Sequence, residues 1–369
     1  MFPKPSEKIA IFCDNKEVSY AELVKNIQSF AFNLKIKKGD RVLLFAENSP
    51  EWIYAFYSIW VNKGIAVPCD YNLKEQELSY ILNNCTPEVI YCSLNTLPII
   101  KKALKIIRFK PRVIVLERCK KMENIDIKFP EIKYNDTAII MYTSGTTGKP
   151  KGVMLTYDNL LFSIQAIADL KMLTENDRML ALLPFYHIFP LQGCITAPLY
   201  LNGSIVMVKE AVLDKILSAL QEHKVTMFLA IPRLYELLHK NIMAKIKKNL
   251  IAYILFLFAR SIGNLSFSKF LFKKIHKAFG GHIKAFLTGG AKLDPVMANE
   301  LKALGFNLVE GYGLTETGPL VAFNPFSKVK LGAAGLPLKG TEVKIVDGEI
   351  LVKGRNVMKG YYKNRKATE

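Results

Sequence analysis

No apolar run in this chain is long enough to cross a bilayer. The longest, Leu250 to Ala259, is about half of what a spanning helix requires, which excludes an integral membrane protein. The N-terminus, Met1-Phe2-Pro3-Lys4-Pro5, lacks the cationic-then-apolar pattern of a signal peptide. None of the six cysteines (Cys13, Cys69, Cys85, Cys92, Cys119, Cys194) forms a CxxC pair. Several lie in apolar surroundings such as Ile90-Tyr91-Cys92, so buried reduced thiols are expected in place of disulfides or zinc ligands. These absences point to a cytoplasmic protein. Repeats and low-complexity tracts are missing as well.

What is present fits a globular enzyme-sized body. Half of the 369 residues are hydrophobic and 22% are charged, which excludes a disordered chain. The charge is lopsided: 51 Lys and Arg against 32 Asp and Glu leave +19. Such an excess favours polyanionic small molecules, anionic lipid or nucleic acid as partners. No nucleic-acid motif accompanies it, so nucleic acid is not expected. Part of the excess is local, because Leu237 to Leu293 holds eleven Lys or Arg and no Asp or Glu. These cations flank the apolar runs Leu250 to Ala259 and Phe267 to Phe272, a combination that suits peripheral contact with the anionic inner face of a membrane.

Short apolar strands alternate with helices along the first two thirds. Strands are expected at Arg41 to Ala46, Ile65 to Pro68 and Glu88 to Tyr91, then at Ala138 to Tyr142, Met179 to Leu183, Ser204 to Val208, Thr226 to Ile231 and Ile283 to Leu287. Ser49-Pro50-Glu51 supplies a cap, a first-turn proline and a first-turn acid, opening a helix through Trp60. Leu73 to Asn83 is helical, and further helices begin near Thr156, Val212, Pro232 and Asp294-Pro295. This rhythm predicts parallel βαβ units. The tail differs: Glu342 to Val346, Asp347-Gly348 and Glu349 to Val352 read as a hairpin. The expected fold is α/β, with two layered, mostly parallel α/β subdomains and a small β-rich part near 320–369.

Between two of these strands lies Thr143-Ser144-Gly145-Thr146-Thr147-Gly148-Lys149-Pro150-Lys151-Gly152. Backbone N–H groups and hydroxyls of such a loop can surround an anion, and Lys149 and Lys151 add charge. It is not a Walker A loop: Thr143 stands where the first glycine belongs, and Pro150, not a hydroxyl residue, follows Lys149.

Followed by Val153-Met154-Leu155-Thr156, this decapeptide resembles the signature of the superfamily of acyl-CoA synthetases, luciferases and peptide-synthetase adenylation domains. Further blocks match in the same order: Leu183 to Phe189, Gly289-Gly290-Ala291 and Gly311 to Thr317. The tail from Gly335-Leu336-Pro337 through Gly354 to Tyr362 also resembles the family, so the similarity covers almost the whole chain.

The resemblance implies a reaction that joins a carboxylate to the α-phosphate of ATP and expels pyrophosphate. Thioester formation with CoA follows in the full-length enzyme. Two anions must meet, so fixed positive charge and Mg2+ are needed. By resemblance, Thr143, Ser144, Gly145, Thr146, Thr147, Gly148 and Lys149 would hold the β- and γ-phosphates, with Lys151 assisting. Glu316 would bind magnesium, which takes few carboxylates beside phosphate oxygens, and Thr315 would bond the α-phosphate. Tyr312, between Gly311 and Gly313, would stack on adenine, with Gly289, Gly290 and Ala291 as a thin wall. His187 would lie near the acyl carboxylate and orient it. His223, His239, His276 and His282 have no comparable context and are read as surface residues.

For the acid, the segment Phe185 to Gly193 has no acidic residue to pair with an ammonium, which disfavours amino acids. Ile231 to Glu236 resembles the corresponding block of long-chain fatty acyl-CoA synthetases. An apolar tunnel is therefore expected, lined by Gly193, Cys194, Ala197, Phe228, Leu229 and Ala230, with aryl acids and acyl-carrier protein as open alternatives. Family members continue to a small mobile domain with a catalytic lysine. The expectation is that residues 1–369 are the N-terminal core without it, with ATP and acid binding outlasting turnover. The competing class is a non-catalytic nucleotide- or acyl-binding module.

Overall fold

A computed structural model describes residues 1–369 except Asn15, Lys121, Glu123, Asn124, 144–147 and Ser327. Helix starts follow local chemistry. Ser49 accepts a hydrogen bond from the Trp52 N–H and opens the helix Pro50–Val61. Thr156 and Asn159 form a capping box at Tyr157–Asp169, and Asp294 caps Pro295–Ala303. Each such cap stabilises its helix by about 1 kcal/mol.

Two sheets organise the chain. A seven-stranded sheet runs in the order Gly360–Tyr361, Lys151–Thr156, Thr137–Thr143, Ile65–Pro68, Arg41–Phe45, Val89–Cys92, Arg112–Val115. A nine-stranded sheet runs Leu336–Pro337, Ala322–Phe323, Leu308–Tyr312, Ala285–Thr288, Met227–Ala230, Arg178–Ala181, Ser204–Met207, Ile9–Cys13, Lys16–Ser19. Both are parallel in their interiors and antiparallel toward edges: Thr137–Thr143 with Lys151–Thr156, Leu308–Tyr312 with Ala322–Phe323, and Ile9–Cys13 with Lys16–Ser19. The hairpin Thr341–Val346 and Glu349–Gly354, turned at Asp347-Gly348, forms a separate two-stranded sheet. The stretch 320–369 thus contributes strands to all three sheets.

Strand parity assigns the layers. Val42 and Leu44 point into the same core as Ile11, Tyr20 and Trp52, whereas Leu43 and Phe45 pack with Leu78 and Ile100 on the opposite face. In the other sheet Phe12 packs outward with Leu220 and Tyr235. Helices Tyr20–Leu34, Pro50–Val61 and Tyr157–Asp169 lie between the sheets. Every residue of Pro50–Val61 from Trp52 onward is buried, as expected of a helix apolar on all sides.

One charged knot ties three neighbouring strands. The buried Asp177 carboxylate accepts from the Thr174 N–H and hydroxyl, from the Thr226 hydroxyl at 2.7 Å, and pairs with Lys284 at 2.7 Å. Burial alone would raise its pKa, but Lys284, Thr226 and Thr174 outweigh that and hold it below the ordinary carboxylate value. A depressed folded pKa stabilises the native state above the unfolded value and ceases to do so as pH falls through the folded one. Asp177→Ala should therefore cost about 3 kcal/mol near neutrality, and the penalty should shrink below about pH 4. Urea unfolding of both proteins at the two pH values measures this; a pH-independent penalty would contradict it.

Candidate active site

The expected site residues collect at the carboxyl edges of parallel strands, where open α/β sheets place their ligands. In the nine-stranded sheet, Leu308–Tyr312 leads into Gly313 to Glu316, and Ala285–Thr288 leads into Gly289, Gly290 and Ala291. Arg178–Ala181 leads toward His187. In the other sheet Arg41–Phe45, Ile65–Pro68 and Thr137–Thr143 end at Asn48, Asp70 and the phosphate loop. Hydrogen bonds join the two edges: Asn48 donates to the Leu183 carbonyl at 2.9 Å and accepts from the Phe185 N–H at 3.0 Å. Tyr71 meets Tyr186 edge-on at 5.6 Å. Asn48 and Tyr71 were not singled out from the sequence, because their partners lie more than a hundred residues away.

Of the phosphate loop, Ser144, Gly145, Thr146 and Thr147 lie outside the described residues. Thr143 and Lys151 face each other across the antiparallel pair that bounds the loop, and Lys149 is exposed. Gly148 has φ +84°, and among the described residues nothing lies within 4 Å of where its Cβ would stand. Lys151 Nζ sits 5.3 Å from the centre of the Tyr361 ring. The Tyr361 hydroxyl donates to Glu316 Oε1 at 2.8 Å. Burial, reinforced by the Glu316 bond, pushes the Tyr361 pKa up to about 12. Loop, Glu316 block and tail therefore meet at one point, and the Met358 N–H to Glu316 carbonyl bond at 2.8 Å fixes it.

The glycines are there for two different reasons. A Cβ on Gly311 would lie 2.6 Å from the Phe323 ring, and one on Gly313 would lie 1.8 Å from the Pro319 carbonyl oxygen. A Cβ on Gly289 would touch the Gly311 carbonyl at 3.2 Å and Phe189 at 3.4 Å. Among the described residues nothing lies within 4 Å of a Cβ on Gly290; its φ of +79° is what calls for glycine. Tyr312 and Thr315 are half-buried beside them, and Ala291 is exposed.

His187 precedes the short helix Ile188–Pro190 and is open to solvent, against Tyr186 at 4.5 Å between ring centres. Partial burial lowers its pKa, partly countered by Asp70, which favours the neutral ring. Two residues that sequence reasoning missed stand directly behind the glycines. Glu310 and Thr288 are register partners, and Glu310 Oε2 and the Thr288 hydroxyl are buried without a hydrogen-bond partner among the described residues. Burial raises the Glu310 pKa. An acid within the apolar run Leu308-Val309 was the available signal.

An apolar cavity of about 50 Å³ lies behind Gly289 and Phe189, lined by Gly193, Ala197, Met227, Leu229, Leu287 and Leu320 among others. Gly193, Ala197 and Leu229 line it. Phe228 and Ala230 do not: alternation along Met227–Ala230 turns them to the opposite face, against Tyr235 and Leu220. Met227 takes the place expected of them. Cys194 is buried with its thiol toward the Leu180 carbonyl, away from the cavity lining. His276 is also corrected: it is buried, with Nε2 2.9 Å from the Leu304 carbonyl, because it faces inward on a helix whose lysines face out. His239 is half-buried and 2.7 Å from Glu300.

The family model for AMP-binding enzymes matches residues 3–362, and the chain belongs to that family. A long-chain-fatty-acid–CoA ligase of Mycobacterium bovis is 25% identical over 95% of this chain and 65% of its own length. A 2-succinylbenzoate–CoA ligase of Bacillus pumilus is 28% identical over 98% of this chain and 69% of its own. ATP-bound MatB from Rhodopseudomonas palustris, 26% identical, superposes with a TM-score of 0.80 over 100% of this chain and 71% of that one. The chain therefore spans 65% of the mycobacterial ligase it matches.

Proposed function

We propose that this chain is the ATP- and acid-binding core of a ligase that joins a carboxylate to AMP. Within a longer protein the acyl group then passes to a thiol, that of CoA or of acyl-carrier protein. Residues 1–369 would form the adenylation core, with 320–369 its β-rich part. The observation that carries the reading is the meeting of Lys151, Tyr361 and Glu316 beside the Gly289 and Gly311–Gly313 edges, with the segment Leu183 to Phe185 that leads to His187 tied to the other sheet by Asn48.

In this reading a carboxylate oxygen attacks the α-phosphorus, the bond to the β-phosphate breaks, and pyrophosphate leaves with the electron pair. The loop from Thr143 to Lys151 holds the polyphosphate, Thr315 bonds the α-phosphate, and Tyr312 packs on the base. The Glu310 and Thr288 oxygens, without a partner among the described residues, offer polar contacts behind it. Neutral His187 orients the acid without exchanging a proton. The residues suit magnesium: Glu316 keeps one carboxylate oxygen free of protein hydrogen bonds among the described residues, and magnesium needs few carboxylates once phosphate oxygens complete its shell. When bound, the ion neutralises phosphate charge.

For the acid we favour a fatty acid. The cavity side chains are apolar apart from Ser163 and Gln192, and none among the described residues is cationic. A dicarboxylic acid would bury its second carboxylate there unpaired, which is costly. In the present conformation the cavity has room for only a few water-sized spheres, so a long chain requires Leu229 and Phe189 to swing aside.

A thermal-shift series with palmitate, 2-succinylbenzoate and malonate, each with ATP and Mg2+, tests this. Palmitate should raise the melting temperature most, and a larger rise with either dicarboxylate would overturn the acid assignment. Gly193→Ala sharpens it. Its Cβ would stand 2.4 Å from Leu229 Cδ1, the flexible end of a cavity side chain. Leu229 then shifts within the cavity, and palmitate affinity should fall about tenfold, roughly 1.4 kcal/mol, with ATP affinity unchanged.

A further inference from the structure

The helix Leu250–Ile262 carries its apolar residues outward. Phe256 and Ala259 are its buried residues, whereas Leu250, Ile251, Ile254, Leu257 and Phe258 face solvent, with Leu250 73% and Ile251 72% exposed. At 100° per residue these five fall on one side of the helix, opposite Phe256 and Ala259. An ordinary surface helix shows the reverse. On the adjoining helix Leu265–Leu271, whose Phe267 meets Phe258 edge-on at 6.0 Å, Phe270 is 77% exposed.

The charge flanking this helix along the chain is of one sign, and the neighbouring Glu300, largely buried, pairs with Arg260 away from the apolar side. Lys247 and Lys248 precede the helix, Lys273 and Lys274 follow it, and all four are exposed without an ion-pair partner among the described residues. No Asp or Glu occurs from 237 to 293. The helix has 13 residues, and no helix among the described residues is long and apolar enough to cross a membrane.

We propose that this face docks on an anionic lipid surface, with Leu250–Ile262 lying in the interface plane, its apolar side toward the acyl chains and the flanking lysines at the headgroups. A second copy of the chain is the poorer occupant. A two-fold contact sets the same surface against itself, and here that would bring lysines against lysines. A lipid surface satisfies apolar and cationic groups together. The proposal is independent of the acid-activation reading, since it concerns a different face and its test needs no turnover.

Sedimentation with vesicles provides the test. The 369-residue chain should pellet with phosphatidylcholine–phosphatidylglycerol vesicles, remain in solution with phosphatidylcholine alone, and be released by salt. Ile254→Ser with Phe258→Ser should lower partitioning about tenfold. Lys273→Glu with Lys274→Glu should lower it about 25-fold or more, at roughly fivefold per cation. All substituted side chains are exposed, so melting should match the parent. Absence of pelleting, or pelleting unaffected by both double variants, overturns the proposal. So does a dimer in sedimentation velocity that the serine pair abolishes, which would assign the face to a second copy.

Discussion

A Gly313→Ala chain should melt well below the parent and lose most of its ATP binding. The added Cβ would stand 1.8 Å from the Pro319 carbonyl oxygen, 2.7 Å from its carbon and 3.0 Å from the Leu320 Cα. All three are backbone atoms, so no rotamer change relieves the clash; the turn from Leu314 to Pro319 must move. That turn is tightly specified. The Leu314 N–H donates to the Thr317 hydroxyl at 2.9 Å, and the Glu316 carbonyl accepts from Met358 at 2.8 Å. Overpacking of this kind costs about 3 kcal/mol, a large part of the stability of an ordinary domain. Gly290→Ala is the control. Its φ of +79° is unfavourable for alanine, but nothing among the described residues lies within 4 Å of the new atom, so the cost should be about 1–2 kcal/mol. Melting curves and ATP titrations of both variants decide it. Parent-like behaviour of Gly313→Ala would show that the turn is softer than its packing implies.

How much of this was legible beforehand depends on how local each determinant is. Ser49-Pro50-Glu51, Thr156 and Asp294-Pro295 each carry a complete start signal within a few residues, and the helices begin there. The glycine and Thr-Glu blocks stood out for the same reason, since each is a contiguous segment. Sheet order was not. The strand Ile9–Cys13 was missed; it joins the nine-stranded sheet by pairing Ile11 with Ile205, and nothing near Ile11 encodes that distant partner. Facing was illegible wherever a strand is buried on both sides. Met227–Ala230 is apolar throughout, so no alternation marks which residues look into the cavity. Phe228 and Ala230 were consequently assigned to the wrong face, while Met227 was passed over. Leu250–Ile262 differs: its apolar run between lysines reads as a surface segment from the flanking charge, and packing buries little of it beyond Phe256 and Ala259. Tyr361 gave no signal of its own. Its bond to Glu316 spans 45 residues and needs the tail to pair with Lys151–Thr156.

Glu316→Gln should split the two components of nucleotide affinity in opposite directions. The Tyr361 hydroxyl donates to Oε1, an atom the amide retains as an acceptor, so the substitution removes charge while leaving the local bond in place. If Glu316 is a magnesium ligand, the gain in ATP affinity on adding Mg2+ should fall at least about tenfold, or roughly 1.4 kcal/mol. Metal-free ATP should bind as well or better, because a carboxylate no longer repels the phosphates across the site. Tyr361→Phe provides the complement. It keeps the charge and the ring beneath Lys151 but frees both carboxylate oxygens, so the magnesium gain should change by about threefold or less. Calorimetric titration of each variant with ATP, with and without Mg2+, separates these effects without requiring turnover. A simple structural role for Glu316 would weaken both forms of ATP alike. Only a carboxylate that meets the metal gives a loss with magnesium and none without it. An equal magnesium gain in parent and Glu316→Gln would remove Glu316 from the metal site and with it the polyphosphate orientation on which the adenylation reading depends.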